Sequence, residues 1–152
     1  MGPFGSTSRS RADRYAWAMT ELAHVDAQRV LAAAQSELDR TGLGAAVAVV
    51  DAHGELVAFV RTDGCPLPSI NNAINKAYTA ARERKPSSAV GDASRAKQFP
   101  MTNFGDLRYT GWGGGVPIAI DGVTVGAVGV SGLPEADDVT IATNAAAVLS
   151  TG

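Results

Sequence analysis

Asn72, Lys76 and Thr79 stand at i, i+4 and i+7 within the run Ser69–Glu83, a spacing that lays all three along one narrow stripe of a helix. A lysine ammonium flanked by an amide and a hydroxyl can hold an anion or a carbonyl oxygen. Enclosed beside a second cation, it can also act as a general acid or base. The same stripe equally fits the solvated face of an amphipathic helix, and spacing alone does not separate the two. Arg61 and Asp63 close the preceding segment, and Ser69 opens the helix, so all three are expected near its N-terminus, where an anion is favoured. Asp63 or Asp51 is then the expected carboxylate partner of Lys76, and Arg61 its like-charged neighbour. An Arg61–Asp63 ion pair that merely anchors the loop is the plain alternative. On these premises Lys76→Ala should leave folding nearly intact and weaken ligand binding or turnover about tenfold.

Further along, Gly113-Gly114-Gly115 leads into a strand and not a helix, so it is no phosphate loop; its expected use is close backbone approach to a ligand or a neighbouring strand. Tyr109 and Trp112 beside it could wall a pocket or simply pack. Cys65 lies in a Gly-Pro loop with no histidine nearby in sequence, a poor setting for a nucleophile. His24 and His53, the two histidines, stand far apart and form no metal-binding pair.

The elements that must position these groups follow from periodicity and turn chemistry. A helix is predicted over 26–41, capped by Asp26 and stopped at Gly42. Ala45–Asp51 and Glu55–Arg61 form a hairpin around Asp51-Ala52-His53-Gly54; a second, Val116–Ile120 and Val123–Val130, turns at Asp121-Gly122. A helix capped by Ser69 runs to Glu83, a short one covers Ser87–Arg95, a short strand is placed near Leu107–Trp112, and a last helix spans 136–149. Hairpins impose antiparallel pairing, so the fold class is α+β, a central sheet of two hairpins flanked by helices. Both hairpins carry apolar residues at consecutive positions, which predicts a sheet covered on both faces and, with few helices to do it, a homo-oligomer.

The 152 residues suffice for one core, with residues 1–22 read as an N-terminal arm, an expression remnant or an upstream start, and 23–150 as the domain. Thirteen basic against fifteen acidic residues, without a basic face, argue against nucleic acid. Apolar runs fall short of the roughly 20 residues that span a membrane, no signal segment is apparent and the lone cysteine fits a reducing compartment, so a cytoplasmic location is expected.

The segments Ala46–Gly64 (AVAVVDAHGELVAFVRTDG), Ser69–Ala81 (SINNAINKAYTAA) and Gly113–Gly132 (GGGVPIAIDGVTVGAVGVSG), with Asp137-Asp138 following, resemble the GlcG/HbpS family, also called PduO C-terminal-like, over about residues 23–150. The resemblance implies a profilin-like antiparallel sheet flanked by helices, oligomeric assembly and, in some members, haem or another tetrapyrrole. It places the family's polar signature on Arg61, Asp63, Ser69, Lys76, Thr79 and the Gly113–Pro117 stretch. Phe99–Asp106, here more polar and aromatic than in family members, leaves open a ligand other than haem.

Three functions follow as expectations. The first is a small-ligand-binding protein for haem or another planar carboxylated ligand. Lys76, Asn72, Arg61, Ser69, Thr79, Gly114, Gly115 and the loop bearing Phe104, Tyr109 and Trp112 would form its pocket, with His24 or His53 as the haem's axial donor. The second is a cofactor-independent enzyme acting on a small organic acid or natural-product intermediate, with Lys76 as acid or base and Asp63 as partner. The third is an assembly protein using the polar ridge for subunit contacts.

Overall fold

The computed structural model describes residues 22–150. The expected arm lies outside the described residues except Leu22, which is buried in the core. In chain order the elements are α1 (His24–Thr41), β1 (Ala46–Asp51), β2 (Leu56–Arg61), α2 (Ser69–Glu83), α3 (Ser87–Lys97), a 3-10 turn (Met101–Phe104), β3 (Gly115–Ile120), β4 (Val123–Ser131) and α4 (Glu135–Ser150). The four strands form one antiparallel sheet in the order β2-β1-β4-β3, so the two hairpins lie side by side and join through β1 and β4. The α+β class and the two-hairpin sheet are as the sequence predicts.

Side-chain size sorts the two faces. Val47, Val49, Val128 and Val130 point to one side, where α1 supplies Val30 and Leu38 and α4 supplies Ile141 and Leu149. Ala46, Ala48 and Ala127, with Val50 at the strand's end, point to the other, against Ala73, Ala77, Ala80 and Ala81 of α2. Small residues on both partners let α2 lie almost directly on the strands. A Cβ on Gly129 would collide with the carbonyl oxygen of Ala73, and one on Gly115 with that of Lys76. The burial expected of the apolar runs is therefore met on β1, with Ala46–Val50 all buried, by the chain's own helices. That removes part of the reason for expecting an oligomer. What stays partly open are the two edge strands, β2 and to a lesser degree β3.

Three local expectations are corrected. Asp26 is not the cap of α1: the helix starts at His24 after an extended Ala23, and Asp26 sits buried in the first turn, 3.5 Å from Arg29. Ser69 is the first residue of α2, not its cap, because its N–H already bonds Pro66 O in a turn that runs into the helix. No strand forms near 107–112. Asp106 accepts from the Arg108 N–H at 2.9 Å, a local turn that competes with extended pairing, and Thr79 Oγ1 of α2 accepts the Thr110 N–H at 2.9 Å.

Candidate functional site

Close packing of α2 on the sheet carries Lys76 inward, with its side chain only 2% exposed. A solvated face is thereby excluded for this residue. Its Nζ donates to Val130 O of β4 at 3.0 Å and to Asp138 Oδ2 of α4 at 3.0 Å. Room for the ammonium comes from Gly114, whose φ of +124° disfavours other residues and whose absent Cβ would stand 3.1 Å from Nζ. The partner is thus Asp138, not Asp63 or Asp51, and among the described residues the cleft's lining holds no cation other than Lys76. Asp138 reaches this place because Gly132-Leu133-Pro134 turns the chain sharply off β4 into α4, and its Oδ1 accepts the Leu133 N–H at 3.1 Å. Burial pushes the Asp138 carboxyl up, against the opposing pull of Lys76 and of the backbone N–H groups.

Above this pair opens a cleft of about 470 Å³. Pro68, Ser69 and Asn72 of the α2 entry form one wall, Ser131 and Leu133 another, and Trp112 and Glu135 the rim. Glu135 Oε1 accepts the Gly113 N–H at 2.7 Å, which fastens the triple-glycine segment to α4. Ser87 Oγ accepts from the Gly115 N–H at 2.9 Å and donates to Trp112 O at 2.6 Å, fastening the same segment to α3. The triple glycine therefore serves close backbone approach to α2 and β4.

Of the residues singled out from sequence, Ser69, Asn72, Lys76 and Trp112 line this cleft, and Gly114 and Gly115 lie behind it. Arg61 and Asp63 are exposed at the end of β2, line no part of it, and form no ion pair among the described residues. Thr79 is fully buried, its hydroxyl donating to Asn75 O and accepting from Thr110, so it pins the 108–110 loop. Phe104 and Tyr109 stack on one another at 4.1 Å beside Tyr78 of α2, and neither lines the cleft. His24 and His53 are exposed, away from the cleft. Cys65 is half-buried, and desolvation pushes its thiol up, so it is no ready thiolate.

Sequence reasoning missed Asp138, Glu135 and Ser131. The pattern that could have found Asp138 is a pair of acids one turn into a helix that follows a Gly-Leu-Pro turn. No cluster of three or more His, Cys, Asp or Glu side chains suited to a metal ion occurs among the described residues.

The family model described as "Haem degrading protein HbpS-like" matches residues 22–147. The chain belongs to the HbpS-like family. It is 35% identical over 111 residues to Protein GlcG of Escherichia coli K12, covering 69% of this chain and 77% of that one. The crystal structure of a PduOC:heme complex superposes with a TM-score of 0.79 at 25% identity, over 87% of this chain and 97% of the other. A double variant of Streptomyces reticuli HbpS gives 0.77 at 28% identity, over 98% and 94%. No helix among the described residues of this HbpS-like chain is long and apolar enough to cross a membrane.

Proposed function

We propose that this HbpS-like protein binds a small, oxygen-rich organic acid in the cleft over Lys76 and Asp138. One observation carries the reading. Lys76 lines the cleft with three donors, of which the described residues engage two, so the third N–H is offered to a ligand oxygen. Asn72 and Ser69 add neutral donors beside it. Glu135, an exposed carboxylate at the rim, calls for a hydroxyl or other donor on the same ligand. Asp138 compensates the charge of Lys76 and Glu135 adds a negative one, so the cleft suits a ligand with at most one carboxylate. Its volume falls within the usual range for small-molecule sites.

Haem is the alternative that the family description and the PduOC:heme complex support. The residues lining the cleft do not fit its iron, since none is His, Cys, Met or Tyr, and Lys76 is already committed to Asp138. A haem on this chain would take its axial ligand from outside the cleft.

Titration by calorimetry with hydroxy and oxo acids such as lactate and pyruvate tests the proposal. Asn72→Leu leaves the buried pair in place and should weaken binding about tenfold, near 1.4 kcal/mol. Unchanged affinity in that variant would refute the site. A Soret band formed with haemin and lost in a His24→Ala/His53→Ala variant, without binding of any small acid, would favour haem.

A further inference from the structure

A second cavity, of about 270 Å³, shares no lining residue with the cleft. One stripe of α3 forms its floor: Val90, Ala93, Ser94 and Lys97 recur at i, i+3, i+4 and i+7. The chain then reverses at Gln98, which adopts a left-handed conformation (φ 52°), and the Phe99 N–H bonds Ser94 O at 2.9 Å. Ser94 Oγ also donates to Phe99 O, so the reversal is tied by both backbone and side chain. It folds Phe99 and Phe104 back over the floor with their rings 6.0 Å apart and at 81°.

These rings are 45% and 37% exposed, yet they are held in place. Phe104 lies parallel to Tyr109, whose ring meets the buried Tyr78 edge-on at 5.5 Å. Arg108 in turn covers Tyr78 at 3.9 Å. An aromatic ladder rooted in α2 thus presents two ordered apolar surfaces at right angles to solvent. The rim carries Lys85, Lys97 and Glu83, and none of the three forms an ion pair among the described residues. Two cations against one anion leave one net positive charge beside an aromatic corner.

We propose that this cavity is a binding site for a monoanionic aromatic acid of one or two fused rings, with the ring system against Phe99, Phe104 and Val90 and the anionic group at Lys85 and Lys97. The size argues for so small a ring, because the cavity lies just below the range of about 300–1,000 Å³ typical of drug-sized ligands. The charge argues for an acid over a neutral hydrocarbon. The site stands independently of the ligand proposed for the cleft.

The test is a calorimetric titration of the full chain with 2-naphthoate, repeated with the neutral 2-naphthalenemethanol. A Lys85→Ala/Lys97→Ala variant changes only exposed side chains and so should keep the fold. Saturable one-to-one binding of the acid is expected, at least about tenfold weaker for the alcohol and for the double lysine variant, and unchanged in Asn72→Leu. Absence of saturable binding at millimolar acid, equal affinity for acid and alcohol, or loss of binding in Asn72→Leu would each overturn the proposal, the last by placing the acid in the cleft.

Discussion

Replacing Lys76 by alanine would leave the Asp138 carboxylate buried beside an emptied channel, with one oxygen still held by Leu133 and the other without its cation. Breaking a buried pair by removing one partner costs roughly 3–5 kcal/mol, since the remaining charge is uncompensated. Val130 O also loses its side-chain donor, although it keeps its place in a paired strand. Set against a total stability of about 5–15 kcal/mol for a domain, this is a large fraction. The sequence-based expectation that Lys76→Ala folds normally is therefore corrected by the burial of the ammonium. Urea unfolding followed by circular dichroism should show a midpoint lowered accordingly at unchanged slope. The double variant Lys76→Met/Asp138→Leu, which removes both charges at similar volume, should recover most of the loss. The pH dependence has a definite sign. A carboxyl whose folded pKa lies above its unfolded value binds its proton more tightly when folded, so folding gains as pH falls through the folded value. Asp138 is already raised by burial, and loss of Lys76 removes the attraction that opposes the rise. The deficit of Lys76→Ala should then narrow toward acidic pH. A single variant within about 0.5 kcal/mol of the parent at neutral pH would refute the argument, because that is the cost of an ordinary exposed substitution.

Gly129→Ala should destabilise by roughly 1–3 kcal/mol or prevent folding, as its methyl group meets the Ala73 carbonyl; thermal melting checks it. Thr79→Val keeps the shape but leaves the Thr110 N–H unsatisfied, costing about 1–3 kcal/mol, and hydrogen exchange should show that amide losing protection. Arg108, through its side-chain and backbone hydrogen bonds, holds the Asp106 carboxyl well below the ordinary carboxylate range. This depressed group contributes stability above its unfolded pKa that is lost as pH falls toward the folded one, so Asp106→Asn should flatten the acid side of the stability profile measured by urea unfolding. Assembly into a homo-oligomer, proposed through the half-open β2 edge, predicts a light-scattering mass above 15.6 kDa, and a monomer at micromolar concentration would remove it.

Residue order along the chain determined the four strands of the sheet and the helices, though not the irregular 99–114 stretch, because turns and periodicity are local. Asp121-Gly122 between two strand-forming runs is a local hairpin signal, and the consecutive apolar residues of β1 demand cover on both faces. The stripe Asn72, Lys76, Thr79 was legible for the same reason, as a spacing on one helix. Its division was not. Helix α2 sits close on the sheet, across Gly115 and Gly129, and about two turns along it separate Asn72 at the cleft from Thr79 locked against the 108–110 loop. Likewise the loop 99–115 reads as one segment in sequence, yet its Phe99 and Phe104 line one cavity while Trp112 lines the other. Only tertiary structure could choose Asp138 over Asp63 as the partner of Lys76. The two partners lie 62 positions apart, and they meet because β4 and the turn after it deliver the first turn of α4 onto the end of that ammonium. Charge pairing across such a separation depends on how two helices register on opposite faces of one sheet, and no local pattern encodes that distance.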